Sequence, residues 1–151
     1  MEENHVETLG EEVEGPLCPY PRLAVMQPYV FPYIGYFHLI SSSSLFIFCD
    51  DVNYIKQGWI NRNRILSGND CCLFVVPMKN RSQNKMIKEI CPLITKEWTN
   101  QFYNQLRHNY RRAPYFSEVV DRVLSVFEDE YDDVTDLAIK SIACVYDYLG
   151  L

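Results

Sequence analysis

The sequence predicts an α/β domain with a small, mostly parallel, Rossmann-like sheet and a helical C-terminal half. Three observations carry that expectation. Residues 23–26, 45–49 and 72–77 are short apolar runs of the length expected for buried strands. A Pro- and Gly-containing loop and a helical stretch separate the first two, in the order of a parallel βαβ unit. Beyond residue 94, apolar residues recur at helical spacing in three successive segments.

Each element follows from local chemistry. The first strand starts after Pro21 and ends at Gln27-Pro28, because a proline cannot donate a ladder hydrogen bond. Pro28 and Pro32 hold an extended loop, and residues 33–42 read as a short helix containing Gly35. Four serines, Ser41 to Ser44, break the chain before the second strand, which ends at Asp50-Asp51. Residues 53–70 are polar and rich in Gly and Asn, and read as a loop with one apolar spot at Trp59-Ile60. The third strand, 72–77, is followed by a polar loop over 79–85. Residues 86–91 form a candidate further strand, stopped by Pro92. Trp98, Phe102, Leu106 and Tyr110 make an i, i+4 stripe over 95–112, which Pro114 ends. Residues 115–131 and 134–149 repeat the helical pattern, and Gly150 stands where a C-terminal cap belongs.

A chain of 151 residues fits one domain, and 48% hydrophobic with 23% charged residues fits a globular core. Collagen-like, coiled-coil and fully disordered readings are excluded. The net charge of −6 is uneven. Six glutamates lie in the first 20 residues with no Lys or Arg, and the remainder is balanced. Residues 1–21 therefore read as a disordered acidic tail, and residues 22–151 as the folded domain. Eleven Tyr and eight Phe exceed what a minimal core needs, so some could wall a ligand. None of the six Cys forms a CxxC pair, and the N-terminus lacks a basic start followed by an apolar run. Reduced thiols in a cytoplasmic protein without a membrane span are expected.

Ligands of open parallel sheets bind beyond the carboxyl ends of the strands. Three loops occupy that position in the predicted order: from Gln27 to Tyr36, from Asp50 through Arg64, and from Lys79 to Lys85. Between Tyr54 and Lys88 there are seven basic residues and one acid, on a domain that is otherwise balanced. That excess favours an anionic ligand. Arg62 and Arg64 offer forked donors matched to phosphate or carboxylate, and Lys56, Lys79 and Lys85 offer point charges. Tyr36, Tyr54 and Trp59 could wall the pocket, with Tyr36 also a catalytic candidate; Gln27 and Asn61 could fix orientation by hydrogen bonds, and Pro28, Gln83 and Asn84 are further candidate substrate contacts. Gly35 would let the backbone approach a ligand at a helix start. His38 is a candidate general base. Asp50 and Asp51 could orient an acceptor or take a proton. A solvated basic face is the plain alternative. Nucleic acid is disfavoured by the absence of a nucleic-acid motif and by the acidic tail. Three scattered His make no transition-metal cluster, and nothing in the sequence requires a cofactor.

The residues from Leu23 through Gln27-Pro28-Tyr29-Val30-Phe31-Pro32-Tyr33-Ile34-Gly35-Tyr36-Phe37 resemble the opening of the WbqC-like protein family. The resemblance continues from Phe48-Cys49-Asp50-Asp51 through Gly58-Trp59-Ile60-Asn61-Arg62-Asn63-Arg64-Ile65. It resumes at Val76-Pro77-Met78-Lys79, Ser82-Gln83-Asn84-Lys85 and Tyr110-Arg111-Arg112-Ala113-Pro114-Tyr115-Phe116. The family usually continues beyond this point, so the domain reads as C-terminally truncated.

The resemblance implies a transferase that modifies an activated or anionic sugar in bacterial surface-polysaccharide biosynthesis of the O-antigen or lipopolysaccharide type. A small anionic or sugar-type substrate is then the expected partner, with a homodimer as a further alternative. A non-catalytic sugar-phosphate- or nucleotide-binding scaffold stays open. So does a nucleotidyltransferase-like enzyme, since the strand followed by Pro-x-x-Gly35-Tyr36 is similar to that superfamily's phosphate-binding turn. Tyr36 stands there where that superfamily has His, and a divalent metal would be required only in that case.

Overall fold

β1 (Leu23–Met26) and β2 (Leu45–Phe48) pair in parallel, with Leu23 opposite Leu45 and Met26 opposite Phe48. Helix α1 (Ile34–Ser41) connects them, as the sequence predicts. The computed structural model describes residues 21–150. The expected tail at 1–21 lies outside the described residues apart from Pro21. Side chains alternate across this sheet as the period of two demands. Ala24, Phe46 and Phe48 turn inward with Tyr36 and Phe37 of α1, whereas Leu23, Val25, Leu45 and Ile47 are exposed on the other face.

The third expected strand does not join that sheet. β3 (Arg62–Ser67) and β4 (Asp70–Val75) form a separate antiparallel hairpin, so only one of the two small sheets is parallel. The reason is not chain length, since the stretch after β2 exceeds the dozen residues a parallel crossover needs; it is polar and forms no helix to carry the crossover. The two-residue turn Gly68-Asn69, with Gly68 at φ +63°, instead closes a hairpin.

Residues 86–91 also differ from the expected strand. Ile87–Glu89 is one turn of 3-10 helix, and the Glu89 carboxylate accepts a bond from the Met86 amide at 2.7 Å. Ile87 and Ile90 are both fully buried. Their spacing of three suits one side of a 3-10 turn, not one face of a strand.

The helical half follows the sequence closely. The Thr95 hydroxyl caps α2 (Lys96–Tyr110) by accepting from the Trp98 amide at 3.2 Å. α3 (Phe116–Ser125) ends sooner than expected, and Val126 and Phe127 turn into the core. The Asp133 carboxylate caps α4 (Val134–Leu149) through the Thr135 and Asp136 amides, and Gly150 ends it in the left-handed conformation. No helix among the described residues is long and apolar enough to cross a membrane.

The main core lies between the hairpin, α2, α3 and the start of α4, and it absorbs much of the aromatic surplus. Phe74 and Phe102 rings are 4.7 Å apart, Trp98 stacks on Phe102 at 5.4 Å, and Phe127 meets Trp98 edge-on at 5.0 Å. α4 also serves the smaller cluster around Tyr36 and Phe37 through Ile142, Val145 and Tyr146.

Candidate functional site

The loop following β1 is fixed from two sides. The Phe31 amide donates to Ser141 Oγ on α4 at 2.9 Å. Asn63 Nδ2 on β3 donates to the carbonyls of Val30 and Phe31, and its Oδ1 accepts from the Arg64 amide at 2.8 Å. These bonds hold Phe31 at φ +48°, a region a bulky side chain rarely adopts. Tyr36, buried under the same loop, donates its hydroxyl to the Gln27 carbonyl at 3.3 Å. Burial, followed by the nearby Tyr29, holds the Tyr36 phenol well above its usual range. It is therefore a fixed donor that positions Gln27.

Arg62 and Arg64 are two residues apart on β3, so both side chains leave the same face. Trp59 lies in the turn just before them, and its carbonyl accepts from the Arg62 amide at 3.2 Å. The guanidinium carbons of Arg62 and Arg64 lie 5.4 and 5.1 Å from the Trp59 ring centroid. Two cations on one indole gain from the ring quadrupole, but each repels the other. Neither forms an ion pair among the described residues.

A cavity of about 560 Å³ opens here, at the carboxyl end of β1, with Gln27, Tyr29, Tyr33, Trp59, Asn63 and Arg64 in its walls. Gln27 Nε2 and Arg62 Nε are buried without a hydrogen-bond partner among the described residues. A buried donor without a partner costs about 1–3 kcal/mol. An anion entering between β1 and β3 would supply acceptors. Burial raises the Tyr29 phenol, partly offset by the Tyr33 amide that its oxygen accepts, so Tyr29 enters as a neutral hydroxyl.

The structure thus brings Gln27, Trp59 and Arg64 together in one cavity wall, with Arg62 against the Trp59 ring but outside that wall. It places the other sequence candidates elsewhere. Tyr54 and Asn61 are 2% and 3% exposed, and they bond to each other at 3.0 Å inside the core. The Asn61 amide also donates to the Val76 carbonyl at 2.6 Å. Pro28 is fully buried. Gly35 is covered by the Tyr33 ring, which a Cβ at that position would strike, so packing accounts for this glycine. His38 is exposed on α1.

Asp50 and Asp51 follow β2 and lie outside the cavity wall. Asp51 accepts from the Cys49 thiol at 3.5 Å. Lys79 lines a separate cavity of about 260 Å³ beside Asp129 and Glu130. Lys56, Gln83 and Asn84 are exposed, and Lys85 is half-buried, with its carbonyl accepting from the Tyr54 amide at 2.8 Å. Sequence reasoning missed Asn63, Tyr29 and Tyr33 as site formers. The one available signal was an amide side chain set between two arginines.

The model of the WbqC-like protein family matches residues 27–151. The uncharacterized protein Rv1507c of Mycobacterium tuberculosis is 28% identical over 132 residues, which cover 86% of this chain and 57% of that relative. The chain therefore spans less than two thirds of that relative's length. No solved structure matches. The match begins at Gln27 and takes in Gln27, Trp59 and Arg64 of the cavity wall, and on it the chain belongs to the WbqC-like protein family.

Proposed function

We propose that this chain is a cytoplasmic transferase that modifies an activated, anionic sugar in surface-polysaccharide assembly. The observation that carries the reading is the pair of guanidinium groups on Trp59, beside a buried Gln27 amide that lacks an acceptor. Arg62 and Arg64 hold the phosphate or carboxylate as forked donors. Trp59 offers an apolar face to a sugar ring, and Gln27 fixes its orientation. Asp50 or Asp51, at the neighbouring strand end, orients the acceptor or takes its proton. Lys79 faces its own acidic neighbours and has no part in holding this anion.

A non-catalytic sugar-phosphate binder is the second reading. It is favoured by one observation: among the described residues, no carboxylate or histidine lines the cavity. The two readings separate in a time course with a nucleotide-sugar. A transferase consumes it when supplied with an acceptor, whereas a binder only raises the melting temperature. Both readings require that Arg64→Gln weaken binding of glucose 1-phosphate about tenfold or more, the value of one charge-assisted hydrogen bond. Unchanged affinity in a calorimetric titration would refute both.

A further inference from the structure

A second cavity, of about 380 Å³, opens between the β3–β4 hairpin and the α2–α3 connection. Its walls are almost wholly apolar. Phe74, Phe102 and Leu106 form the buried floor, and Val119 and Val123 of α3 stand at the side. Phe31 closes one end, held in place by its bonds to Asn63 and Ser141. The volume lies in the range of small-molecule sites.

Among the described residues, Asn63 and Arg64 alone line both this cavity and the Trp59 cavity. The Asn63 side chain is committed to the Val30 and Phe31 carbonyls and to the Arg64 amide. The polar group left at the junction is the Arg64 guanidinium, which lies over Trp59. A small hydrophilic anion would leave the apolar side unused. A pure hydrocarbon would leave the cation unused. A ligand with an anionic head and an apolar tail satisfies both.

We infer that the two cavities form one binding site for an amphipathic anion. Its phosphate or carboxylate head sits at Arg64 and Trp59, and its alkyl or prenyl tail lies between the hairpin and α3. The head position rests on the anion-site reading above; the tail position rests on the second cavity alone.

Calorimetric titration of the full chain with inorganic phosphate and with hexyl, octyl and decyl phosphate, all below their micellar concentrations, tests this. Affinity should rise with chain length, by up to about fourfold per buried methylene, and level off once the cavity is filled. Val119→Trp, and independently Ala113→Trp, should flatten that rise and leave inorganic phosphate binding unchanged. Arg64→Gln should weaken every member of the series. Decanoate compared with decyl phosphate tells a carboxylate head from a phosphate head.

Equal affinity for inorganic and decyl phosphate would overturn the tail site and leave the anion reading standing. A chain-length rise that Arg64→Gln does not weaken would overturn the anion reading and with it the joined site. Should the tryptophan variants fail to fold, the wild-type series still decides.

Discussion

In the body built from the hairpin and helices, Phe74, Phe102 and Phe127 are buried, whereas in the βαβ unit one face of the sheet is exposed among the described residues. Leu23 and Leu45 are 59% and 58% exposed there, and Val25 and Ile47 share their side. Parallel sheets are ordinarily covered on both faces, and two strands alone are marginal. Among the described residues, the unit is held from one side, by α1 and by Ile142, Val145 and Tyr146 of α4. Burial thus leaves the body more fully packed than the βαβ unit. The candidate site spans both, with Gln27 following β1 of the unit and Arg64 from the body's hairpin, and Arg62 beside it on the Trp59 ring.

The largest expected effect comes from the body. Phe102→Ala should cost about 3–5 kcal/mol in denaturant unfolding, because it opens a cavity within a packed aromatic cluster. Leu45→Ala, its counterpart on the bare sheet face, should cost less than about 1 kcal/mol. Equal costs would break the contrast.

Ser141→Ala comes next. Ser141 Oγ accepts from the Phe31 amide and donates to the Ala138 carbonyl at 2.7 Å, tying the two regions together. Its loss leaves the Phe31 amide unpaired and should cost about 1–3 kcal/mol. It should also weaken glucose 1-phosphate binding, since the loop after β1 loses its bond to α4. A stability loss without a binding loss would show that Asn63 and the Val30 amide bond to the Ile60 carbonyl suffice to fix the loop.

The smallest effect is in alkali. Tyr131 donates its hydroxyl to the Val126 carbonyl in the body. Burial first, then the Asp129 carboxylate, pushes its phenol from 10.0 up to about 12. The folded state therefore holds this proton more tightly than the unfolded chain. The resulting stabilisation is complete below the unfolded value and is lost as pH rises from about 10 to about 12. Stability of the Tyr131→Phe variant should fall less steeply over that window. A slope identical to wild type would remove Tyr131 from the account.

The same contrast explains what could be read from the residues. The βαβ unit was legible because proline, glycine and serine mark its boundaries and its strands are uninterrupted apolar runs. The helices were legible from their stripes and caps. The hairpin was not. β3 opens with Arg62-Asn63-Arg64, and its turn residues look like any polar loop, so only the Gly68-Asn69 pair signalled it. Without the hairpin, the third strand was assigned to the wrong partner.

In the site, charge pointed to Arg62 and Arg64, but composition cannot tell a pocket tyrosine from a core tyrosine. Tyr54 and Asn61 satisfy each other in the core, and Tyr29 and Tyr33 face the cavity. The folded path, and not residue type, made that assignment.

The central claim is that an anion enters the Trp59 cavity beside the two arginines that lie over the indole. The chain has two tryptophans. Trp59 lies at the cavity, and Trp98 donates its indole N–H to the Val75 carbonyl at 3.0 Å in the core. A titration of ¹⁵N-labelled protein with glucose 1-phosphate, followed at the two indole N–H signals, should move the Trp59 signal and leave that of Trp98 in place. A Trp59 signal that stays fixed at saturating glucose 1-phosphate would contradict the account.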